Sequence, residues 1–247
     1  MKILVNGAAG HMGVVLRRVI ADGCRNAELA GCVDAHGDDA MLPSLDAFTG
    51  DCDCIVDFSH HAATPELTAY AVRRKLPLVI ATTGQTEEEL EMIRTASKSI
   101  PLFYSGNMSL GIALLTEMAR MAAKMFPEAD IEIVEQHHNR KIDVPSGTAL
   151  MLAHAVQEAR PDTVLNVGRH ENGKRSPKEI GIHSLRMGNT VGVHEVIVNT
   201  GTQVLTLKHE AQDRSLFAEG ALAAAEFLIR QTPGLYHIDH LVNEASL

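Results

Sequence analysis

The spacing of apolar and polar positions changes character near residue 107. Before it, short apolar runs at 3–5, 29–33, 55–58, 78–80 and 102–104 predict buried strands. Helical spacing lies between them, over 12–21, 65–74 and 87–97, with Val15, Val19 and Ile20 on the inner side of the first helix. Strands that alternate with helices predict a parallel sheet covered on both faces, and right-handed crossovers make it doubly wound.

Beyond residue 107 the order changes. A helix over 110–125 carries Leu114, Met118, Met121 and Met125 at helical spacing, a stripe expected in a core or a subunit contact. A strand over 131–134 and a helix over 148–160, stopped by Pro161, come next. Strand patterns then dominate, at 179–186, 191–199 and 203–210. Leu205 and Leu207 alternate with Thr206 and Lys208, as in a sheet with unlike faces. Gly188-Asn189 is expected to turn the chain between the first two of these strands, and Thr200-Gly201-Thr202 between the second pair. An Ala-rich helix over 216–229 is expected to return to the first sheet. The predicted fold class is α/β: an N-terminal Rossmann-type doubly wound parallel sheet, then a C-terminal α+β domain with a mostly antiparallel sheet. The less buried face of that second sheet would be an oligomer surface.

Composition narrows the function. The 247 residues are 45% hydrophobic and 21% charged, enough to bury a large core without disulfides or metals. A net charge of −9 argues against a nucleic-acid partner, which needs clustered Lys and Arg, but leaves room for an anionic metabolite in a local positive pocket. Cys24, Cys32, Cys52 and Cys54 form no CxxC pair and accompany no His-x-x-x-His group, so reduced cysteines and no metal are expected. No apolar run approaches the ~20 residues of a membrane span, and Ile3-Leu4-Val5 is too short for a signal core. A cytoplasmic protein with no membrane partner is expected.

Gly7, Gly10 and Gly13 follow the first predicted strand and open the first predicted helix. Glycine permits a tight turn and close approach of a pyrophosphate, while the helix start offers amide hydrogens and partial positive charge. The loop Gly7-Ala8-Ala9-Gly10-His11-Met12-Gly13 is a GxxGxxG variant, weak by itself, but Asp34 ends the second strand at the ~20-residue distance of a ribose-binding acid. A carboxylate there accepts hydrogen bonds from NAD ribose hydroxyls and repels a 2′-phosphate. Ala35 follows it, and His36 is the nearby group able to pair with a phosphate. NADH, or use of both NADH and NADPH, is therefore favoured over strict NADPH. Ala81-Thr82-Thr83-Gly84 and Ser105-Gly106-Asn107-Met108 fall at later strand ends and offer small residues and hydroxyls to a nicotinamide and ribose. These features assign residues 1–108, completed by 215–247, to a dinucleotide-binding domain, and 109–214 to a substrate-binding and oligomerisation domain.

Residues 132–149 read EIVEQHHNRKIDVPSGTA. His137 and His138 end a strand and so point in different directions. Histidine has the right range for general acid work near neutrality, which typically contributes ~10²–10⁴-fold. Lys141 adds a positive charge on a flexible stem, and Ser146 or Thr148 can donate a hydroxyl hydrogen bond. The amides of Gly147 and Thr148 stand at a helix start suited to a carboxylate. Asp143 is expected to hold the loop or pair with Lys141.

This stretch, with the glycine loop, resembles the dihydrodipicolinate reductase family, whose signature reads approximately E-[IV]-x-E-x-H-H-x-x-K-x-D-x-P-S-G-T-A. Further similarity lies in Val56-Asp57-Phe58-Ser59, Thr82-Thr83-Gly84, Asn107 with Ser109, and Gly234-Leu235-Tyr236. The resemblance implies NAD(P)H-dependent reduction of a cyclic imino dicarboxylate, 4-hydroxy-tetrahydrodipicolinate, to tetrahydrodipicolinate in the diaminopimelate and lysine pathway. It implies a homotetramer assembled through C-terminal sheets. It also implies His137 as proton donor assisted by Lys141, and substrate binding by His138, Lys141, Gly147 and Thr148. Three positions depart from the family: His11 where Arg is frequent, Met108 where an aromatic is, and Ala81 where Gly is. The first weakens the case for NADPH. Two other readings stay open on the residues alone: a related dehydrogenase of another small imino or keto acid, and a nucleotide-binding sensor without catalysis.

Overall fold

Strands buried on both faces cannot alternate apolar with polar residues, and the first strands of this chain do not. In the computed structural model, which describes residues 1–245, these are β1 (Lys2–Asn6), β2 (Glu28–Val33), β3 (Cys54–Asp57), β4 (Leu78–Ile80) and β5 (Pro101–Tyr104). Between them run α1 (His11–Ala21), α2 (Thr64–Arg74) and α3 (Glu87–Ser97). The start of α3 is set by a reciprocal cap: Glu89 N donates to Thr86 Oγ1 at 3.3 Å and Thr86 N donates to Glu89 Oε2 at 2.7 Å.

The chain continues through α4 (Leu110–Met125), β6 (Asp130–His137), α5 (Gly147–Ala159), β7 (Val164–Val167), β8 (Glu179–Arg186), β9 (Gly192–Asn199) and β10 (Val204–Ala211). It ends with α6 (Ser215–Leu228), β11 (Gly234–Tyr236) and α7 (Ile238–Ala245). Two compact units result. One comprises Met1–Leu110 and the chain from Arg214 onward; the other is Gly111–Asp213. The assignment of 215–247 to the first domain reaches, at 246 and 247, outside the described residues.

The first unit holds a six-stranded sheet in the order β11-β5-β4-β3-β1-β2, with every pairing parallel. Alternate residues of β1 face opposite cores. Ile3 and Val5 pack with Leu16 of α1 and Leu222 of α6, while Leu4 packs with Leu67 and Tyr70 of α2 and Ile93 of α3. Chain order reverses between β1 and β3, the switch point at which doubly wound sheets open a crevice at their strand ends.

The second unit holds a five-stranded mixed sheet, β10-β9-β6-β8-β7. β9 pairs antiparallel with β10 and with β6, whereas β8 pairs parallel with β6 and with β7. The parallel half arises because α5 carries the chain back over the sheet before β7 and β8. Ile131, Ile133, Val196 and Val198 project from one sheet face into a core shared with Leu115 of α4 and Leu152 of α5.

Several local expectations change. Gly188, at φ 51°, does turn the chain between β8 and β9, but these strands are not a hairpin, because β6 lies between them. The 200–202 turn does close a hairpin, with Gly201 at φ 87°. The stripe expected in a core or subunit contact is not core: Leu114, Met118, Met121 and Met125 are 42–73% exposed. Instead α4 packs through Ile112, Leu115, Ala119 and Ala122, where small residues let the helix approach the sheet. β6 runs to His137, so that histidine ends the strand and His138 lies just beyond it, and β7, β11 and α7 were not expected as elements.

Candidate active site

At the switch point of the first sheet, β1 gives way to the glycine turn. Gly7 has φ 77°, and a Cβ there would stand 2.7 Å from the Phe58 carbonyl group. A Cβ on Gly13 would fall 2.1 Å from Gly7 O, so α1 can lie this close to the turn only with glycine. The amides of Gly7 and Ala8 donate to Val33 O at 2.9 and 3.1 Å. No side chain caps α1 at Gly10. Asp34 accepts from Ala9 N through Oδ2 and from His36 N through Oδ1, both at 2.9 Å. The carboxylate expected to read a ribose thus also shapes the turn. A cleft of about 360 Å³ lies here, lined by Gly7, Gly10, Asp34, Ala35, His36 and Ser59 among others. An uncapped helix start beside a turn of glycine and alanine, with an acid at its flank, fits a dinucleotide. His11 is exposed on the helix's first turn, Met12 is half-buried and Ala8 is buried, so Ala8 offers only its backbone.

Asp57, at the end of β3, organises the neighbouring strand ends. It is 1% exposed and accepts from Asn6 Nδ2 at 2.8 Å, Ser59 Oγ at 2.6 Å and Thr82 Oγ1 at 2.6 Å. Burial pushes its carboxyl up, against the lowering effect of these hydrogen bonds. Three residues expected near the cofactor have their side chains engaged within this unit. The Thr82 hydroxyl is directed to Asp57, the Ser105 hydroxyl donates to Asn107 O at 2.7 Å, and Met108 is 2% exposed within the core. Thr83, Gly84 and Gly106 are the exposed members of the two segments, Ala81 is half-buried, and Asn107 Oδ1 accepts from Ser109 N at 2.8 Å.

In the second unit the histidine segment begins on β6. Glu135 and His137 share the covered face with Ile131 and Ile133, two residues apart as the strand period requires. Glu135 is wholly buried and His137 is 9% exposed. Strand register sets their neighbours: Glu135 pairs with His194 of β9, and His137 with Arg186 of β8. Arg186 Nη1 donates to Glu135 Oε2 at 2.8 Å and Nη2 to Oε1 at 2.7 Å. The Ser146 amide donates to Oε1 at 3.1 Å, and His137 Nδ1 lies 2.5 Å from Oε2. Burial alone would raise the Glu135 carboxyl, but the bonds from His137, Arg186 and Ser146 outweigh it and hold it well below the usual carboxylate range.

His194 is 4% exposed, with its ring edge-on to His137 at 5.1 Å between centroids. Burial, joined by the charge of His137, pushes it down to about 4. Ser146 stands beside it at the start of α5. It is 1% exposed, and its hydroxyl caps α5 by accepting from Ala149 N at 3.2 Å and lies 3.2 Å from His194 Nε2. By contrast, Gly147 is exposed with open space where a Cβ would stand, and Thr148 and His138 are half-buried. Lys141 Nζ meets Asp143 Oδ1 at 2.9 Å, which lowers the Asp143 carboxyl. The loop is tied back when Arg186 Nη2 donates to Asp143 O at 2.8 Å. Among the described residues no group of His, Cys, Asp and Glu is placed to hold a metal ion.

Glu135, Arg186 and His194 were not singled out in the sequence. The i, i+2 spacing of Glu135 and His137 in a strand was a usable signal. For Arg186 and His194 there was none, because only the strand order brings them to β6.

A doubly wound sheet with a glycine turn at its switch point, joined to a unit that gathers histidines beside a helix start, defines a pyridine-nucleotide-dependent oxidoreductase. The chain belongs to the dihydrodipicolinate reductase family. It matches the family description "Dihydrodipicolinate reductase, N-terminus" over residues 1–108 and "Dihydrodipicolinate reductase, C-terminus" over residues 111–242. A 4-hydroxy-tetrahydrodipicolinate reductase of Caldanaerobacter subterraneus subsp. tengcongensis is 44% identical over 99% of both chains. One of Clostridium novyi is 36% identical over 98% of both. Among solved structures, a dipicolinate-bound dihydrodipicolinate reductase from Paenisporosarcina sp. TG-14 superposes with a TM-score of 0.78 at 25% identity, covering 96% of this chain and 97% of that one.

Proposed function

We propose that the protein reduces 4-hydroxy-tetrahydrodipicolinate to tetrahydrodipicolinate, a step of diaminopimelate and lysine biosynthesis, in the cytoplasm. The observation that carries this reading is a reductase of that name at 44% identity across the full chain. The local chemistry supports it. A bound reduced nicotinamide supplies the hydride. The hydroxyl and a proton from the neighbouring ring carbon leave together as water; the hydride adds at the carbon that bore the hydroxyl, and His137, on the covered face of β6, supplies a proton to that neighbouring carbon. Lys141 and the amides of Gly147 and Thr148 hold substrate carboxylates, with His138 as a further donor. Ser146 acts within the protein, setting the start of α5.

NADH, or use of both cofactors, is the reading favoured by Asp34, by Ala35 after it, and by His11 where a phosphate-binding arginine would serve NADPH. A homotetramer assembled through the open face of the second sheet is supported by the exposed Val204 on β10. No helix among the described residues is long and apolar enough to cross a membrane.

The test is nicotinamide absorbance at neutral pH, with substrate freshly made from pyruvate and aspartate semialdehyde, NADH and NADPH side by side. Substrate-dependent oxidation is expected, and His137→Ala should lower turnover at least ~10-fold with nucleotide binding nearly intact. Folded protein that binds nucleotide yet oxidises neither cofactor would overturn the reading. Sedimentation that shows a monomer at working concentration would remove the tetramer.

A further inference from the structure

Glu135 has no part in the reaction as set out above, yet it is a wholly buried carboxylate with four polar contacts. It keeps no exposed surface, and both its oxygens are filled. Oε1 takes Arg186 Nη2 at 2.7 Å and the Ser146 amide at 3.1 Å; Oε2 takes Arg186 Nη1 at 2.8 Å and lies 2.5 Å from His137 Nδ1. A bidentate guanidinium and a backbone amide keep such a carboxylate ionised, and an ionised carboxylate can only accept. His137 Nδ1 must therefore carry a hydrogen, which leaves Nε2 as the nitrogen that gains and loses a proton. Nε2 faces Gly192 of β9, where a Cβ would stand 3.2 Å away, so the missing side chain leaves room at that nitrogen.

The other groups around the ring do not replace Glu135. His194, edge-on to His137, is pushed down to about 4 by burial and stays neutral near pH 7. The positive charge of Lys141 and the imidazole of His209 act on His194 from the loop and from β10. Glu135 is the negative charge in direct contact with His137.

We propose that Glu135 is the positioning residue of His137: its carboxylate, locked by Arg186, fixes the ring plane and holds a hydrogen on Nδ1, so that Nε2 is the nitrogen presented for proton delivery. Glu135 acts through His137 alone. The proposal rests on the reductase reading for its kinetic consequence, but the tautomer is a property of the folded protein itself.

The experiment uses the full chain and Glu135→Gln, which keeps the shape and removes the charge. A glutamine oxygen turned to Arg186 leaves its NH₂ facing Nδ1, which must then accept, so the ring keeps its hydrogen on Nε2 and resists a second proton. Turnover is expected to fall ~10–100-fold near neutrality, with substrate KM and nucleotide Kd within ~3-fold. The alkaline fall of kcat should move to lower pH by about one unit. Glu135→Asp, which retains the charge, should return that fall toward its wild-type position even if kcat stays low. Ring-nitrogen spectra of ¹⁵N-histidine protein, with His137 identified by its loss in His137→Gln, should show Nδ1 protonated in the wild type and Nε2 alone in Glu135→Gln.

A Glu135→Gln enzyme with the wild-type pH profile and an Nδ1-protonated His137 would overturn the proposal and leave the Glu135–Arg186 pair as a strand tie. Should the variant not fold, the wild-type spectrum still decides, because His137 with its hydrogen on Nε2 and none on Nδ1 overturns the proposal. If the wild type turns over no substrate, the reductase reading fails, and the spectra judge the positioning role separately.

Discussion

His194 offers a quantitative test of how the second unit is built. It sits on β9 with 4% of its surface exposed, and burial together with the charge of His137 pushes its imidazole from 6.5 down to about 4. In the unfolded chain the same ring protonates below about pH 6.5. Between those values the unfolded chain binds a proton that the folded protein refuses, so acidification favours unfolding. The contribution is intact above about pH 6.5, declines by ~1.4 kcal/mol per pH unit, and is fully lost below about pH 4. That is ~3 kcal/mol in all, of which ~2 kcal/mol has gone by pH 5. His194→Gln removes the titration while keeping an acceptor for the Ser146 hydroxyl. Urea denaturation at fixed protein concentration, with hydrogen exchange of the β6 and β9 amides, should show wild-type stability falling ~2 kcal/mol more than that of the variant between pH 7 and 5. Glu135 does not confuse this window. Its carboxyl is held below the usual range, so its stabilisation is present above ~4.3 and is lost only as pH falls further. Parallel pH curves for the two proteins would show that His194 is not buried as a neutral ring.

Two further outcomes concern the nucleotide cleft. Gly13→Ala places a Cβ 2.1 Å from Gly7 O and 2.7 Å from Ala8 Cα, which α1 must relieve by moving off the turn. A loss of ~1–3 kcal/mol of stability and weaker NADH binding by fluorescence titration are expected, and unchanged affinity would mean the turn does not hold the cofactor. Asp34→Ala should weaken NADH more than NADPH. An equal loss for both would assign Asp34 to holding the Ala9 and His36 amides and not to reading the ribose.

Local pattern determined a great deal here. The apolar runs of β1, β3 and β4 can be stable only with both faces covered, and their alternation with helices leaves few topologies open. The glycine turn was legible because its requirement is steric and local: Gly7 needs a positive φ and Gly13 must admit Gly7 O. His137, Lys141 and Gly147 could be singled out as candidates because one strand, one loop and one helix start lie contiguously in the chain.

What the sequence did not carry was set by pairing across long separations. Gly188-Asn189 turns the chain as expected, but the insertion of β6 between β8 and β9 keeps those strands from pairing, and the same insertion put Arg186 beside His137 and His194 beside Glu135. Neither residue carries a local mark, since its position depends on which strands become neighbours and in what register. Burial likewise redirected side chains whose type alone promised a contact. Thr82 turned to Asp57 and Ser146 to the start of α5, because a polar group inside the fold takes a hydrogen-bond partner there. The sequence by itself determined which chemistry the chain holds; the tertiary structure alone decided which groups stand close enough to govern it, because hydrogen bonds and charges act over a few ångströms that only strand pairing brings about.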